Sequence, residues 1–125
     1  MSNYTIQLNG PISVYDVNGN QIFSQNLTVK TPVNNYGEGS ISVSAAASAL
    51  VLPASQTNFA YLQNLGTAVA VVSWVPNGGS GAIVQNLGVS STMAVAQVGT
   101  TAATGVSSIT VSCAAATTLA YILGG

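Results

Sequence analysis

Apolar and polar residues alternate with a period of two along most of the chain, and the alternating runs end at Gly, Pro or Asn. A period of two is typical of strands with one buried face, whereas an amphipathic helix repeats about every 3.6 residues. Tyr4, Ile6 and Leu8 begin the first run, and Gly10-Pro11 is expected to interrupt it. The pattern predicts an all-β protein.

The N-terminal third contains the clearest turn signal. Asn18-Gly19 separates two alternating runs with residues that tolerate positive φ, so it predicts a hairpin whose second strand covers Gln21–Val29. Residues 30–40 (KTPVNNYGEGS) are rich in Pro, Gly and Asn, which favours a linker or exposed loop. We therefore divide the chain into an N-terminal β-hairpin arm with its linker, 1–39, and a body, 40–125.

The sequence pattern of the body predicts eight short strands with regularly spaced turns. This arrangement is typical of an antiparallel β-sandwich, jelly-roll-like in form. Ala45–Leu50 is the one segment where a helical turn is expected, because Ala is the best helix former. The predicted strands are Ser40–Ser44, Ala49–Leu52, Asn58–Asn64, Ala68–Val75, Ala82–Asn86, Ser91–Val98, Val106–Cys113 and Thr117–Leu123. The turns predicted between them include Pro53-Ala-Ser55 and Gly99-Thr-Thr101.

Charge is nearly absent from these 125 residues: Asp16, Lys30 and Glu38 are the only charged side chains, and there is no His. One cation cannot replace the counterions of a nucleic acid, so nucleic acid is not an expected partner. The longest apolar run, Ala68–Val75, is far shorter than the ~20 residues of a membrane-spanning helix, so no membrane is expected either. The N-terminus has no signal-peptide pattern, which predicts synthesis in a cytoplasm.

The sequence therefore offers few side chains that could act in catalysis or bind a metal. Cys113 alternates with apolar residues and has no His to activate it, so a buried thiol is expected rather than a nucleophile. Asp16 and Glu38, the only pair of acids, fall in a turn and a Gly-flanked segment, where solvated side chains are expected. Residues 16–20 resemble the start of a calcium loop but lack its sixth-position Gly and twelfth-position acid. We expect no catalytic residue, metal or cofactor, and hence no enzyme.

Aromatic residues leave a carbohydrate-binding alternative open, because stacking on sugars needs no charge. Tyr61 and Trp74 lie in the most apolar strands and are expected to pack in the core, whereas Tyr36 is expected to be exposed. The aromatic candidates are Tyr15, Tyr36, Tyr61, Trp74 and Tyr121.

The scarcity of charge also bears on assembly. Small soluble domains usually carry more charge, and exposed edge strands are usually guarded by Lys or Pro. A surface with neither property is suited to being covered, so we expect a homo-oligomer, with a trimer preferred.

The body resembles small virion proteins of tailed bacteriophages, in particular capsid decoration (cement) or head-spike proteins with a jelly-roll-like sandwich. The resemblance is carried by Leu52-Pro-Ala-Ser, by Tyr61-Leu-Gln-Asn-Leu-Gly66 with Ala68-Val-Ala-Val-Val72, and by the later alternation of Val-Ala-Gln-Val-Gly and Ile-Thr-Val-Ser. It implies binding to the outer capsid lattice, often as a trimer at local three-fold positions. It assigns no binding residues.

These observations together predict a virion structural protein on the capsid surface that binds the major capsid protein or other virion proteins and stabilises the shell by non-covalent packing. The alternative is a host-recognition or carbohydrate-binding module of a phage tail fibre or spike. The expected interface residues are Tyr4, Ile6, Leu8 and Tyr36.

Overall fold

A computed structural model describes residues 3–52, 56–79, 81–97 and 104–125, and the turns predicted at 53–55 and 99–101 lie outside this part of the chain. Strands are the only regular secondary structure in the described residues, so the all-β prediction is confirmed. The strands are β1 (Tyr4–Tyr15), β2 (Gln21–Val33), β3 (Tyr36–Val43), β4 (Ser48–Ala49), β5 (Phe59–Asn64), β6 (Ala70–Pro76), β7 (Ile83–Leu87), β8 (Thr92–Ala96), β9 (Val106–Ser112) and β10 (Thr117–Gly124).

Strands β1 and β2 form a long two-stranded antiparallel hairpin, closed by a turn at the predicted Asn18-Gly19. Gly19 has a φ of 85°, the left-handed conformation that favours glycine here. At ~3.4 Å per residue, the twelve residues of β1 extend about 40 Å.

The other eight strands form two antiparallel four-stranded sheets, in the orders β3-β10-β5-β8 and β4-β9-β6-β7. Each predicted body strand overlaps one of them. Side chains from both sheets meet in one apolar cluster, which makes the body the predicted antiparallel β-sandwich. Its fully buried members include Leu62 and Leu119 from the first sheet and Val72 and Val111 from the second.

The interruption predicted at Gly10-Pro11 is wrong, and proline does not interrupt the second strand either. β1 runs through Gly10-Pro11, and β2 runs through Pro32, which pairs with Thr5. Each hairpin strand has a neighbour on one side only, so a proline without an N–H is tolerated where the N–H would face the free edge.

The linker predicted at 30–40 is also mostly strand. Only Asn34 and Asn35 separate β2 from β3, and β3 pairs with β10 along its whole length. β3 is an edge strand, a position where Gly residues and the exposed Glu38 are compatible with pairing on one side. The boundary proposed between residues 39 and 40 therefore falls inside a strand.

The helical turn expected at Ala45–Leu50 does not form; the segment contains a bend and the two-residue strand β4. Ser48 and Ala49 pair with Val111 and Thr110 of β9. Pairing with β9 outweighs the local helix propensity of the four alanines in this segment.

Candidate functional site

The hairpin has one apolar and one polar face. Residues paired across an antiparallel ladder lie on the same face, and successive pairs alternate between faces. One face carries the pairs Tyr4–Val33, Ile6–Thr31, Leu8–Val29, Gly10–Leu27, Ile12–Gln25 and Val14–Phe23. The opposite face carries Thr5–Pro32, Gln7–Lys30, Asn9–Thr28, Pro11–Asn26 and Ser13–Ser24. Polar side chains bond across this second face, Ser13 Oγ to Ser24 Oγ at 3.4 Å and Thr28 Oγ1 to Asn9 Oδ1 at 3.3 Å.

The base of the apolar face packs on the body. Val33 is buried, and a Cβ on Gly124 would lie 3.0 Å from Val33 Cγ1 and still closer to Ile6 Cδ1. Ala60 lies in the core cluster, so its neighbour Phe59 and the paired Gly124 lie on the outer face of the sheet. Phe59 is nevertheless only 3 % exposed. We conclude that the hairpin base covers the outer face of the β3-β10-β5-β8 sheet at this end.

Backbone hydrogen bonds hold the junction between hairpin and body. The amides of Asn34 and Asn35 both donate to the Gly125 carbonyl at 2.9 Å, and the Gly125 amide donates back to Asn35 O at 2.9 Å. The Asn3 amide donates to Val33 O at 3.1 Å. These bonds restrict the two-residue connection, so the hairpin is attached to the body through an ordered junction.

The distal half of the same apolar face is uncovered. Ile12, Val14 and Phe23 are each about half exposed, at 51 %, 45 % and 50 %. Near the turn, Val17 and Ile22 are exposed at 101 % and 67 %, and Tyr15, which pairs with Gln21 on the opposite face, is exposed at 58 %. We call Ile12, Val14 and Phe23 the distal apolar patch.

Asp16 closes the turn beside this patch. Its Oδ1 accepts hydrogen bonds from the amides of Asn18 and Asn20, both at 2.9 Å, and its Oδ2 accepts one from Asn20 Nδ2 at 3.3 Å. The bond from the Asn20 amide is the largest cause that holds the pKa of this carboxyl below its usual value. The carboxylate therefore serves its own turn, and no group of three potential metal ligands occurs in the described residues.

The predicted interface residues divide into two pairs. Tyr4 and Tyr36 are half exposed and make an edge-to-face contact, with centroids 5.1 Å apart and planes at 75°. Ile6 and Leu8 are partly buried on the apolar face. The exposure expected of Tyr36 is confirmed, although it lies in a strand rather than a loop.

The sequence identifies Ile12 and Val14 as apolar positions of the arm, but the expected interface residues include neither of them, nor Phe23. The signal that identifies them is the unbroken even-numbered alternation of β1 through Gly10-Pro11, with Phe23 opposite Val14. Treating Gly10-Pro11 as a break concealed the continuity of the apolar face.

In the described part of the body, Cys113 and Trp74 are held by structural contacts. Cys113 is a buried free thiol, as expected, and its Sγ lies 3.1 Å from the Val69 carbonyl oxygen to which it donates. Trp74 is partly buried against the core, and its Nε1 donates to Gln85 Oε1 at 3.3 Å. No helix among the described residues is long and apolar enough to cross a membrane.

A small hollow lies between the two sheets. It is lined by apolar side chains, among them Leu62, Trp74, Met93 and Val95. Its cavity volume is about 10 Å³, which is room for about one water molecule and far too little for a ligand. The hollow also presents no convergent polar groups that would orient a ligand.

Comparisons with family models, with curated proteins and with solved structures give no match to the chain. The function of the chain is therefore inferred from the hairpin, the sandwich and their surfaces.

Proposed function

We propose that this protein is a virion structural protein of the capsid-decoration type, which binds the outer capsid surface and stabilises the shell by non-covalent packing. The observation that carries the proposal is the projecting hairpin, whose apolar face is covered by the body at its base and uncovered beyond it. A decoration protein needs an attachment element of this kind and no reactive groups.

The strand pairing supports the jelly-roll form of the body. β3 pairs with β10, β4 with β9, β5 with β8 and β6 with β7, the nested pairing of one long hairpin rolled into two sheets. Eight-stranded jelly rolls of two sheets occur in viral capsid proteins and in lectins. The fold is therefore compatible with both functions considered from the sequence.

The scarcity of charge favours cementing over recognition of a charged ligand. Asp16 is bound by its own turn, which leaves Lys30 and Glu38 as the other charged side chains of the chain. Packing such a surface on a capsid requires little desolvation of ions, which is the main cost of burying charged groups.

The test of this function is the composition and stability of the particle. We expect virions purified from cells that produce the protein to contain it in a constant ratio to the major capsid protein, by quantitative mass spectrometry. Particles stripped of the protein should rupture at a lower temperature, and adding back the purified full chain should restore the original value. Absence from purified particles, or unchanged stability after stripping, would contradict the proposal.

The Tyr4–Tyr36 contact favours a second candidate, a carbohydrate-binding module of a fibre or spike. Two half-exposed rings in contact offer a stacking surface that requires no charge. If this alternative is correct, the chain binds a glycan on an array, and Tyr36→Ala abolishes binding. Tyr15→Ala, which changes a similarly exposed tyrosine near the turn, should leave glycan binding unchanged.

A further inference from the structure

Three asparagines of the chain are followed directly by glycine, at Asn9-Gly10, Asn18-Gly19 and Asn77-Gly78. In this dipeptide the backbone nitrogen of glycine can attack the side-chain amide carbon of asparagine, because glycine has no Cβ to hinder the approach. The attack requires that the glycine N–H can lose its proton and that the backbone between the two residues can rotate. Hydrogen bonds to that N–H and pairing in a ladder therefore decide which site reacts.

Asn9 is protected by its place in a strand. It pairs with Thr28, and Gly10 pairs with Leu27, in the ladder between β1 and β2. Asn9 Oδ1 also accepts a hydrogen bond from Thr28 Oγ1 at 3.3 Å. The ladder fixes the backbone on both sides of the peptide bond, so closing a five-membered ring here requires the hairpin to open.

Asn18 is exposed, but the hydrogen bonds of its turn protect it. The Gly19 amide, whose nitrogen would have to attack, donates to the Asp16 carbonyl oxygen at 3.1 Å. The amides on either side, those of Asn18 and Asn20, both donate to Asp16 Oδ1 at 2.9 Å. Asp16 therefore fixes the backbone of this turn and engages the attacking nitrogen.

The turn at Asn77-Gly78 leaves the attacking nitrogen accessible. The Gly79 amide donates to Pro76 O at 3.0 Å and Gly78 has a φ of 80°, as in a type II turn with glycine in the third position. The turn is thus closed by Gly79, and the Gly78 amide donates to no group in the described part of the chain. Gly78 is also exposed, so water reaches the site.

We propose that Asn77 is the residue at which this protein deamidates. The Gly78 nitrogen forms a bond to Asn77 Cγ, and the side-chain nitrogen leaves as ammonia with the proton that Gly78 loses. Water then opens the resulting succinimide at one of its two carbonyls, which returns the proton to nitrogen and yields aspartate or isoaspartate. Water is the only co-reactant, and the electron count of every atom is conserved without an oxidant or a reductant.

The product changes both charge and backbone at this turn. Either acid adds one negative charge to a chain whose formal net charge is −1. Isoaspartate also inserts a carbon into the backbone just after β6, where the Asn77 amide donates to Gly105 O at 2.9 Å. The inference goes beyond the virion role, because the reaction belongs to the purified chain in the absence of any capsid.

The test is mass spectrometry of the intact full chain after incubation at mildly alkaline pH, with fragmentation to locate each converted residue. In the folded protein, conversion at Asn18 should be roughly tenfold slower than at Asn77, because a hydrogen bond must break before the attack. Conversion at Asn9 should be slower still than at Asn77. In concentrated urea the hydrogen bonds are lost, so the three identical dipeptides should convert at similar rates.

Two variants are matched at the sites, and a third removes the protection. N77Q keeps the side-chain amide but would have to close a larger ring, and N18Q makes the same change in the hairpin turn. Isoelectric focusing should show an acidic form that accumulates in the wild type and in N18Q but not in N77Q. D16A removes the carboxylate that holds the amides around Gly19, so conversion at Asn18 should rise severalfold in this variant.

Equal conversion at Asn18 and Asn77 in the folded chain would overturn the inference, as would an acidic form that persists in N77Q. Similar rates at Asn77 in the folded chain and in urea agree with it, whereas strong protection of Asn77 by folding contradicts it. None of these outcomes depends on whether the protein occurs in particles, so the virion role and this inference stand or fall separately.

Discussion

Asn64 shows how a single buried polar residue organises one end of the sandwich. Its side chain is fully buried and uses its whole hydrogen-bonding capacity. Nδ2 donates to two carbonyls, as described above, while Oδ1 accepts from the Gly66 amide at 3.0 Å and from Thr117 Oγ1 at 2.9 Å. Both loops at this end and the start of β10 therefore depend on one side chain.

We expect Asn64→Ala to lower the free energy of unfolding by about 3–5 kcal/mol, because it leaves several buried partners without hydrogen bonds. Asn86→Ala, at an exposed position of β7, is the matched control and should change stability by less than about 0.5 kcal/mol. Urea denaturation of both variants measures the difference. Equal effects would show that solvent replaces the Asn64 bonds.

Thr31 presents the opposite situation at the hairpin base. Thr31 is fully buried, and its side-chain Oγ1 has no hydrogen-bond partner. Thr31→Val keeps the shape and removes the unsatisfied hydroxyl, so we expect the protein to become about 1 kcal/mol more stable. Thr28→Val on the exposed polar face is the control and should not stabilise to this extent. Loss of stability in Thr31→Val would indicate that the hydroxyl is bonded in solution.

The stability of the hairpin turn depends on pH in the acid range through the Asp16 carboxylate. Because hydrogen bonds to the carboxylate lower its pKa in the folded turn, the stabilisation is present above the ordinary, unfolded pKa of 3.8 and is lost as pH falls through the folded pKa. The amide resonances of Asn18 and Asn20, followed by NMR, should titrate with a midpoint below the ordinary value of 3.8. Asp16→Asn should show no such titration, and a midpoint above 3.8 in the wild type would contradict the assignment.

At the scale of elements, the hairpin and the sandwich have separate apolar clusters. Every buried residue of the main cluster lies between Val43 and Leu123. Val33 and Phe59 are buried outside this cluster, where the hairpin base meets the outer face of the sheet. The hairpin therefore adds a layer to a sandwich whose core does not require it.

We expect a chain that begins at Asn34 to fold, since this cut removes β1 and β2 and leaves β3 intact. It should be less stable by about 1.5–3 kcal/mol, because Phe59 becomes exposed. Circular dichroism and thermal unfolding test this expectation. A chain that begins at Gly39 is the comparison, and it should be less stable still because it loses the first half of β3. An unfolded product from the first cut would make hairpin and body a single folding unit and contradict the division of the chain.

At the scale of the whole molecule, three charged side chains and no His leave little for pH or salt to act on. The melting temperature should stay nearly constant between about pH 6 and 9, where an unperturbed His would titrate. It should also change little between low and high sodium chloride, since screening acts on charges. A shift of several degrees with either variable would reveal a perturbed group or a subunit contact that depends on charge.

The sequence by itself determined what depends on local alternation and local turn chemistry. It located the hairpin turn at Asn18-Gly19, the eight body strands and the buried thiol of Cys113, because a period of two reports which face of a strand is buried. It also excluded most site chemistry, because composition alone sets which reactive groups exist. The role of Tyr4, Ile6, Leu8 and Tyr36 in an interface stays a prediction.

Only the tertiary structure decided which surface covers each apolar face. Pro32 and Gly10-Pro11 resemble strand ends locally, but the ladder continues past them because each has a free edge. Phe59 and Val14 both alternate as buried residues do. The body and the hairpin base bury Phe59, whereas no residue in the described part of the chain covers the outer half of Val14's face. The physical reason is that alternation is a property of neighbours in sequence, whereas burial depends on residues far apart in the chain.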